Sequence, residues 1–391
     1  MQFILFDPDY IQQLNPLTLT RAAALLRVGG FTIKEKWEQT LNSKVEVLTR
    51  IYLKALYSFE YVEGEKTFIN GTVCPTPNLL DEIENLPNDV ALIQDGKLIA
   101  FKSSKGLSRK ELFSLKAKIK TSKLSFDLVE YPWQIFKLAG KQIENDLELF
   151  RLRDLRNAQV YEQNTVFGHE LYVEKTAKAQ GVIFNTDTGP IYIGKDAEVM
   201  EGSVIRGPFF LGEHSTVKLA AKIYGPTVIG PHSKVGGEIS NSVVFGYSNK
   251  GHDGFMGNSV LGEWCNLGAD TNTSNLKNNY SKVSVFNYAD NQMRLTEEQF
   301  CGLIMGDHSK TGINTMLNTG TVVGVSANIF GGDFPPKHVP SFYWGGTQGV
   351  PFNLDKAFEV AEKMMARRNV SFSDIDRQIL SYIFEKYGYK G

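Results

Sequence analysis

The sequence predicts an α/β domain over residues 1–155, then an all-β solenoid, a parallel β-helix of hexapeptide repeats over residues 156–345, and a helical extension over residues 346–391. Two observations carry this reading. From Ile193 an aliphatic residue returns at every sixth position, as Val199, Ile205, Leu211, Val217, Ile223, Ile229 and Val235, a period that fits neither a 3.6-residue helix nor a two-residue strand. Before residue 150, short apolar runs alternate with segments of helical spacing, the pattern of an α/β layer.

In the first domain, Phe3-Ile4-Leu5-Phe6 ends at Asp7-Pro8 and reads as a buried strand entering a loop. Val45–Leu48, Thr67–Asn70, Val90–Ile93 and Lys97–Phe101 are further strand candidates. Pro77 to Asn85 sets Leu79, Leu80 and Ile83 on one helical face. Behind the first strand stand Arg21, Arg27, Lys34 and Lys36, where an open α/β sheet binds ligands and where Arg suits bidentate contact with phosphate. Cations on a helix surface are the competing reading. Residues 131–156 place Trp133, Ile135, Phe136, Ile143 and Leu147 among charges, as one or two amphipathic helices packed on both neighbours.

In the repeat, the fourth position after the aliphatic is small or hydroxylic at Ala197, Ser203, Ser215, Ala221, Thr227 and Ser233, but not at Phe209 or Ile239. Cramped interior corners select such residues. Gly194, Gly212 and Gly230 fall eighteen residues apart, so three six-residue faces close one coil. This is the signature of a parallel β-helix. The rhythm is loose over 161–188, as in an atypical capping coil, and returns as Phe255, Leu261, Leu267 and again as Met305, Thr311, Leu317, Val323, Ile329. Between these stretches lie the Gly246–Gly254 loop and a second excursion over 276–303. Loops leaving a regular solenoid are where function is placed, and His252, on the first, is the candidate catalytic group. Residues 353–367 and 371–386 have helical spacing, with Met364 and Met365 assigned to the core.

Lys plus Arg number 42 and Asp plus Glu 43, a net charge of -1, which excludes the general basic field of a nucleic-acid binder. Cys74, Cys265 and Cys301 form no CxxC pair, so neither a zinc ribbon nor a disulfide framework is indicated. The N-terminus lacks a basic leader region and no stretch approaches about 20 apolar residues. A cytoplasmic protein without membrane or nucleic-acid partners is expected.

The repeat resembles the hexapeptide-repeat acyltransferases, which implies a left-handed prism, acyl-CoA bound along its outside, and a homotrimer. PLTLTRAAALLRVGGFTIKEKW (Pro16 to Trp37) and FINGTVCPTPNLL (Phe68 to Leu80) resemble blocks of the sugar-1-phosphate nucleotidylyltransferases in their divergent, hexapeptide-fused form, with a Rossmann-type domain. That resemblance implies nucleotide or phosphate contacts at Arg21 and Arg27, and an Mg²⁺ ion. The glycine-rich phosphate loop of those enzymes is missing here, and Thr72 stands where they carry a metal-binding Asp.

Gly251 to Asn275, GHDGFMGNSVLGEWCNLGADTNTSN, resembles without a gap the GHLTYLGD…NIGAGTITCN segment of the bifunctional UDP-N-acetylglucosamine pyrophosphorylase/glucosamine-1-phosphate N-acetyltransferase family. The match implies His252 as the catalytic base, with Glu238, Asn266 and Asn275 at the acyl-acceptor site and Asn314, Thr315 and Lys337 (or His338) along acetyl-CoA. An amine attacking a thioester must lose a proton, and an imidazole of ordinary pKa about 6.5 takes it at neutral pH. Phe255, Leu276 and Ser240 replace two tyrosines and a lysine of that family, so the acceptor is expected to differ from glucosamine 1-phosphate or to bind differently.

The expected function is acetyl-CoA-dependent transfer to an amino-sugar phosphate, coupled to nucleotide-sugar synthesis from a sugar phosphate and a nucleoside triphosphate. The alternatives are a nucleotidylyltransferase whose solenoid only trimerises it, and a non-catalytic assembly protein.

Overall fold

The computed structural model describes residues 1–391. Its first part is a six-stranded sheet of order β2-β1-β3-β5-β4-β6, with β1 Gln2–Phe6, β2 Glu46–Leu48, β3 Lys66–Asn70, β4 Val90–Gln94, β5 Lys97–Ser103 and β6 Lys118–Thr121. The α/β layer is as expected, but its sheet is mixed: β1 is parallel to β2 and β3, whereas β5 runs antiparallel to both β3 and β4. The cause is local. Asp95 and Gly96 both have positive φ, 47° and 76°, the tight Asp-Gly turn that folds a hairpin directly and leaves no crossover helix.

Helix α1 (Ile33–Leu41) starts at Thr32, whose hydroxyl and the Glu35 carboxylate cap each other's backbone N–H. Helix α2 (Pro77–Glu84) is capped by Thr76, and α3 (Arg109–Ser114) by Ser108. Helix α4 (Trp133–Leu149) buries Trp133, Ile135, Phe136, Ala139, Ile143 and Leu147, and α5 (Ala158–Glu162) leads into the solenoid.

The solenoid has three parallel faces. Ile193, Leu211 and Ile229 stack in register, as do Val199, Val217 and Val235, and Ile205 and Ile223. The small corner residues Ala197, Ser203, Ser215, Ala221, Thr227 and Ser233 are all fully buried. Hydroxyls are used there because they bridge coils: Ser215 Oγ donates to the Gly230 carbonyl at 2.9 Å and accepts the Ser233 N–H at 3.0 Å.

One face, nine strands from Leu171–Val173 to His338–Val339, receives the α/β domain through α4; we term it the docked face. The second, polar face carries Lys178, Glu198, Thr216, Lys234 and Asn249 in pairing columns. The third, open face exposes Phe167, Ile183, Val204, Tyr224 and Met316.

Two expectations are corrected. Residues 161–188 already form regular paired strands, because the early coils lengthen their turns: Leu171 pairs with Ile191 and Ala179 with Val199. Met256, not Phe255, resumes the inward column, since it pairs with Ile239 and is fully buried while Phe255 points outward beside Glu238. The Gly236-Gly237 corner makes that coil shorter than eighteen residues and shifts the phase.

The 276–303 excursion forms a hairpin, Ser284–Asn287 with Gln292–Leu295, that ties the parts together. Lys137 pairs with Glu298 at 2.5 Å, Arg294 lies over the Tyr131 ring at 4.6 Å, and Phe286 stacks on His338 at 3.5 Å.

The corner between docked and polar faces repeats one device. His214, His232, Tyr247, Trp264 and His308 all have positive φ there, and their rings stack in succession at 4.8, 4.8, 4.3 and 6.3 Å. At the far end, helices α6 (Leu354–Ala366) and α7 (Asp374–Tyr387) brace the solenoid against the first domain, with Tyr382 stacked on Tyr52 at 4.0 Å and Met365 buried in that packing.

Candidate functional site

His252 sits on the corner between the polar and open faces, in the turn joining Asn249–Lys250 to Phe255–Gly257. Its ring is exposed and free of side-chain partners, so it is available to a ligand. The turn itself is fixed. Gly254 has φ +110°, and a Cβ there would lie 2.3 Å from the Thr271 carbonyl of the next coil. Below, a Cβ on Gly237 would lie 2.8 Å from the His252 carbonyl. Only glycine lets the two coils close this tightly.

Glu238 lies on the open face one coil back, beside Phe255, and its carboxylate meets Lys222 at 3.3 Å. Asn266 lies on the polar face one coil on, where its Oδ1 accepts from Asn249 Nδ2 at 2.9 Å. The two therefore flank the His252 corner. Asn314 continues the corner column two coils on, exposed, with its N–H bonded to the Ala269 carbonyl at 2.8 Å. Thr315 is buried, and its hydroxyl is used on the Gly312 carbonyl at 2.9 Å.

Asn275 stands at the opposite edge of the open face, donating to Asn258 Oδ1 at 2.8 Å. The face is about three residues wide, roughly 10 Å, so Asn275 and His252 bracket it. Lys337 is half-buried, and desolvation together with the nearby Lys277 charge pushes its pKa down against an opposing pull from Cys301; it is not on the His252 corner. His338 is packed under Phe286 and Tyr288, and burial pushes it down to about 4, so it offers no cation for a phosphate.

Two groups were missed by sequence reasoning. Asn272, on the open face, accepts the Phe255 N–H at 2.8 Å and donates to the Asp270 carbonyl at 2.9 Å, placing an amide between His252 and Asn275. Its one signal is the coil spacing from Phe255. Lys250 lies inside the coil beneath the turn.

Arg21 and Arg27 are held by protein. Arg21 donates to Asp307 at 3.1 and 2.6 Å and meets Glu263 at 3.1 Å, both on the solenoid. Arg27 donates to the Phe245 carbonyl at 2.8 Å and to the Gly30 carbonyl. They are seams between domains, a use of the same guanidinium geometry that serves phosphate. Asp7, at the end of β1, is likewise engaged by the Ala23 N–H at 2.7 Å, Thr49 at 2.6 Å and Arg50 at 3.1 Å. Tyr10 and Thr72 share a hydrogen bond of 2.8 Å over Asn70. No cluster of three or more His, Cys, Asp or Glu has the geometry to hold a metal ion.

Several known proteins resemble parts of this chain. A protein 34% identical over 146 residues is the bifunctional sugar-1-phosphate nucleotidylyltransferase/acetyltransferase of Sulfurisphaera tokodaii, the match covering 37% of this chain and 36% of that protein. The bifunctional protein GlmU of Methanocaldococcus jannaschii is 33% identical over 87 residues, 22% of this chain and 21% of its own. The chain thus spans between about a fifth and a third of the length of the curated relatives it matches. Among solved structures, Arabidopsis UDP-N-acetylglucosamine acyltransferase aligns with TM-score 0.28 and 13% identity over 55% of this chain and 78% of that one. Residues 3–154 match the family described as sugar nucleotidyl transferase, so the chain joins a domain of that type to a parallel hexapeptide β-solenoid.

Proposed function

We propose that the protein is a transferase whose solenoid moves an acetyl group from acetyl-CoA to an amine or hydroxyl of a sugar phosphate, with His252 as general base. The observation that carries this is the unengaged imidazole on a rigid corner, flanked by Glu238, Asn266 and Asn272. The name of the Sulfurisphaera tokodaii relative supports it, since it pairs nucleotidylyl and acetyl transfer. In the step, the acceptor nitrogen or oxygen bonds to the thioester carbonyl carbon, the C–S bond breaks, His252 takes the acceptor proton, and the CoA thiolate leaves to be protonated. Asparagine amides both donate and accept, which suits sugar hydroxyls.

The same reading includes a homotrimer formed through the open face, where the exposed Phe167, Ile183, Val204 and Tyr224 give apolar surface on the coils that precede the His252 turn. Asn314 would then line the acetyl-CoA slot. No helix is long and apolar enough to cross a membrane. Three buried free cysteines support a reducing cytoplasm.

The test is thiol release from acetyl-CoA with a panel of amino-sugar and sugar phosphates. His252→Ala should lower kcat by about 10²- to 10⁴-fold with an unchanged melting temperature, because the ring makes no side-chain contact. Unchanged turnover removes His252 from the mechanism. A second reading, nucleotidylyl transfer alone, is favoured by the family match over residues 3–154. Pyrophosphate release with nucleoside triphosphates and sugar 1-phosphates would establish it; the engaged Asp7, Arg21 and Arg27 predict none.

A further inference from the structure

The inward column of the polar face runs Val199, Val217, Val235, then Lys250, then Leu267. A lysine here is 2% exposed, in a line of buried aliphatics. Burying an ammonium costs several kcal/mol, whereas another valine would stabilise the coil. The substitution falls on the coil that bears the His252 turn.

The ammonium has three hydrogens, and all three have partners. Nζ donates to the Gly236 carbonyl at 3.2 Å, to the Asp253 carbonyl at 3.1 Å, and to the carbonyl of His252 itself. Two of these acceptors belong to the turn and one to the corner below it. The turn is therefore pinned from inside, by a charge-assisted clamp, with its carbonyls drawn inward. The charged groups facing Lys250 are Asp253 and Asp270, and burial pushes its pKa down to about 8 against their attraction.

We propose that Lys250 is a positioning residue: its buried ammonium gathers the Gly236, His252 and Asp253 carbonyls and so fixes the turn that presents the His252 imidazole on the open corner. This rests on the reading of His252 as base, and the experiment separates the two. Lys250→Met replaces the clamp by an apolar side chain that suits the column, and Lys250→Arg restores charge and donors.

Amide hydrogen exchange across residues 248–256 reads the clamp without reference to activity. Lys250→Met is expected to lose protection there while the coils at 199–235 keep theirs, with Lys250→Arg recovering part of it. Unchanged exchange in Lys250→Met overturns the proposal whatever the turnover. Kinetically, kcat should fall about 10- to 100-fold, as for groups that orient a reacting residue, with KM for acetyl-CoA unchanged. The Lys250→Met, His252→Ala double variant should be no slower than His252→Ala alone. Independent, multiplying losses, or a kcat for Lys250→Met within twofold of wild type, overturn the positioning role. Wild-type turnover in His252→Ala instead sinks the reading of His252, while the exchange result still judges the clamp. Should Lys250→Met fail to fold, Lys250→Gln, which keeps two donors without the charge, is measured in the same two assays.

Discussion

Removing the Arg21 guanidinium should open the seam between the α/β domain and the solenoid. Arg21 is 6% exposed and Asp307 3%, so neither charge has water to fall back on. In Arg21→Met, Asp307 keeps only the Thr20 hydroxyl at 2.7 Å and the Glu263 N–H at 2.9 Å, and loses both guanidinium bonds. A buried carboxylate stripped of its partner costs about 3–5 kcal/mol. At about 1.4 kcal/mol per decade, seam opening rises by two to three and a half decades. Urea titration followed by tryptophan fluorescence is suitable because Trp264 lies beside this seam, lining a cavity with Arg21, Asp307 and Glu263. The first transition should move by that free energy. The Arg21→Met, Asp307→Asn pair should recover about 1–3 kcal/mol of the summed single losses, since the two groups act as one. A single-variant cost under about 1 kcal/mol, or additivity within about 0.5 kcal/mol, refutes the seam.

Two further outcomes follow from burial. His308 is pushed down to about 4 by burial, and its Nδ1 has no partner. The unfolded chain takes up a proton near pH 6.5 that the folded chain refuses until about pH 4, so stability is full above pH 6.5 and falls through that window by up to about 3 kcal/mol. His308→Asn should flatten the urea-derived stability between pH 6.5 and 4.5; an unaltered slope contradicts it. Met256→Ala should cost about 2–5 kcal/mol and Phe255→Ala no more than about 1 kcal/mol, as read by thermal unfolding, with the reverse order placing Phe255 inside.

The solenoid was legible because each coil interior accepts a narrow residue type at fixed intervals, so Ile193 through Val235 advertise the fold before any contact is known. The turn carrying His252 was legible as a break in that rhythm. Arg21 and Arg27 were misleading for a physical reason: their partners lie 286 and 218 residues away in Asp307 and Phe245, and a guanidinium near a strand end looks the same whether it meets carboxylate or phosphate. The Asp95-Gly96 hairpin was readable as a turn, yet its consequence for strand direction depends on which strands it joins. Lys250 escaped notice because lysines are ordinarily outside, and nothing in one chain marks the exception.

In a triangular prism, each edge faces away from one side. The α/β domain occupies the side opposite the edge that carries His252, so the body of the solenoid stands between them. Whatever the first domain binds or releases reaches that imidazole on the same chain only by diffusing around the solenoid. No tunnel through one chain therefore joins the first domain to that corner.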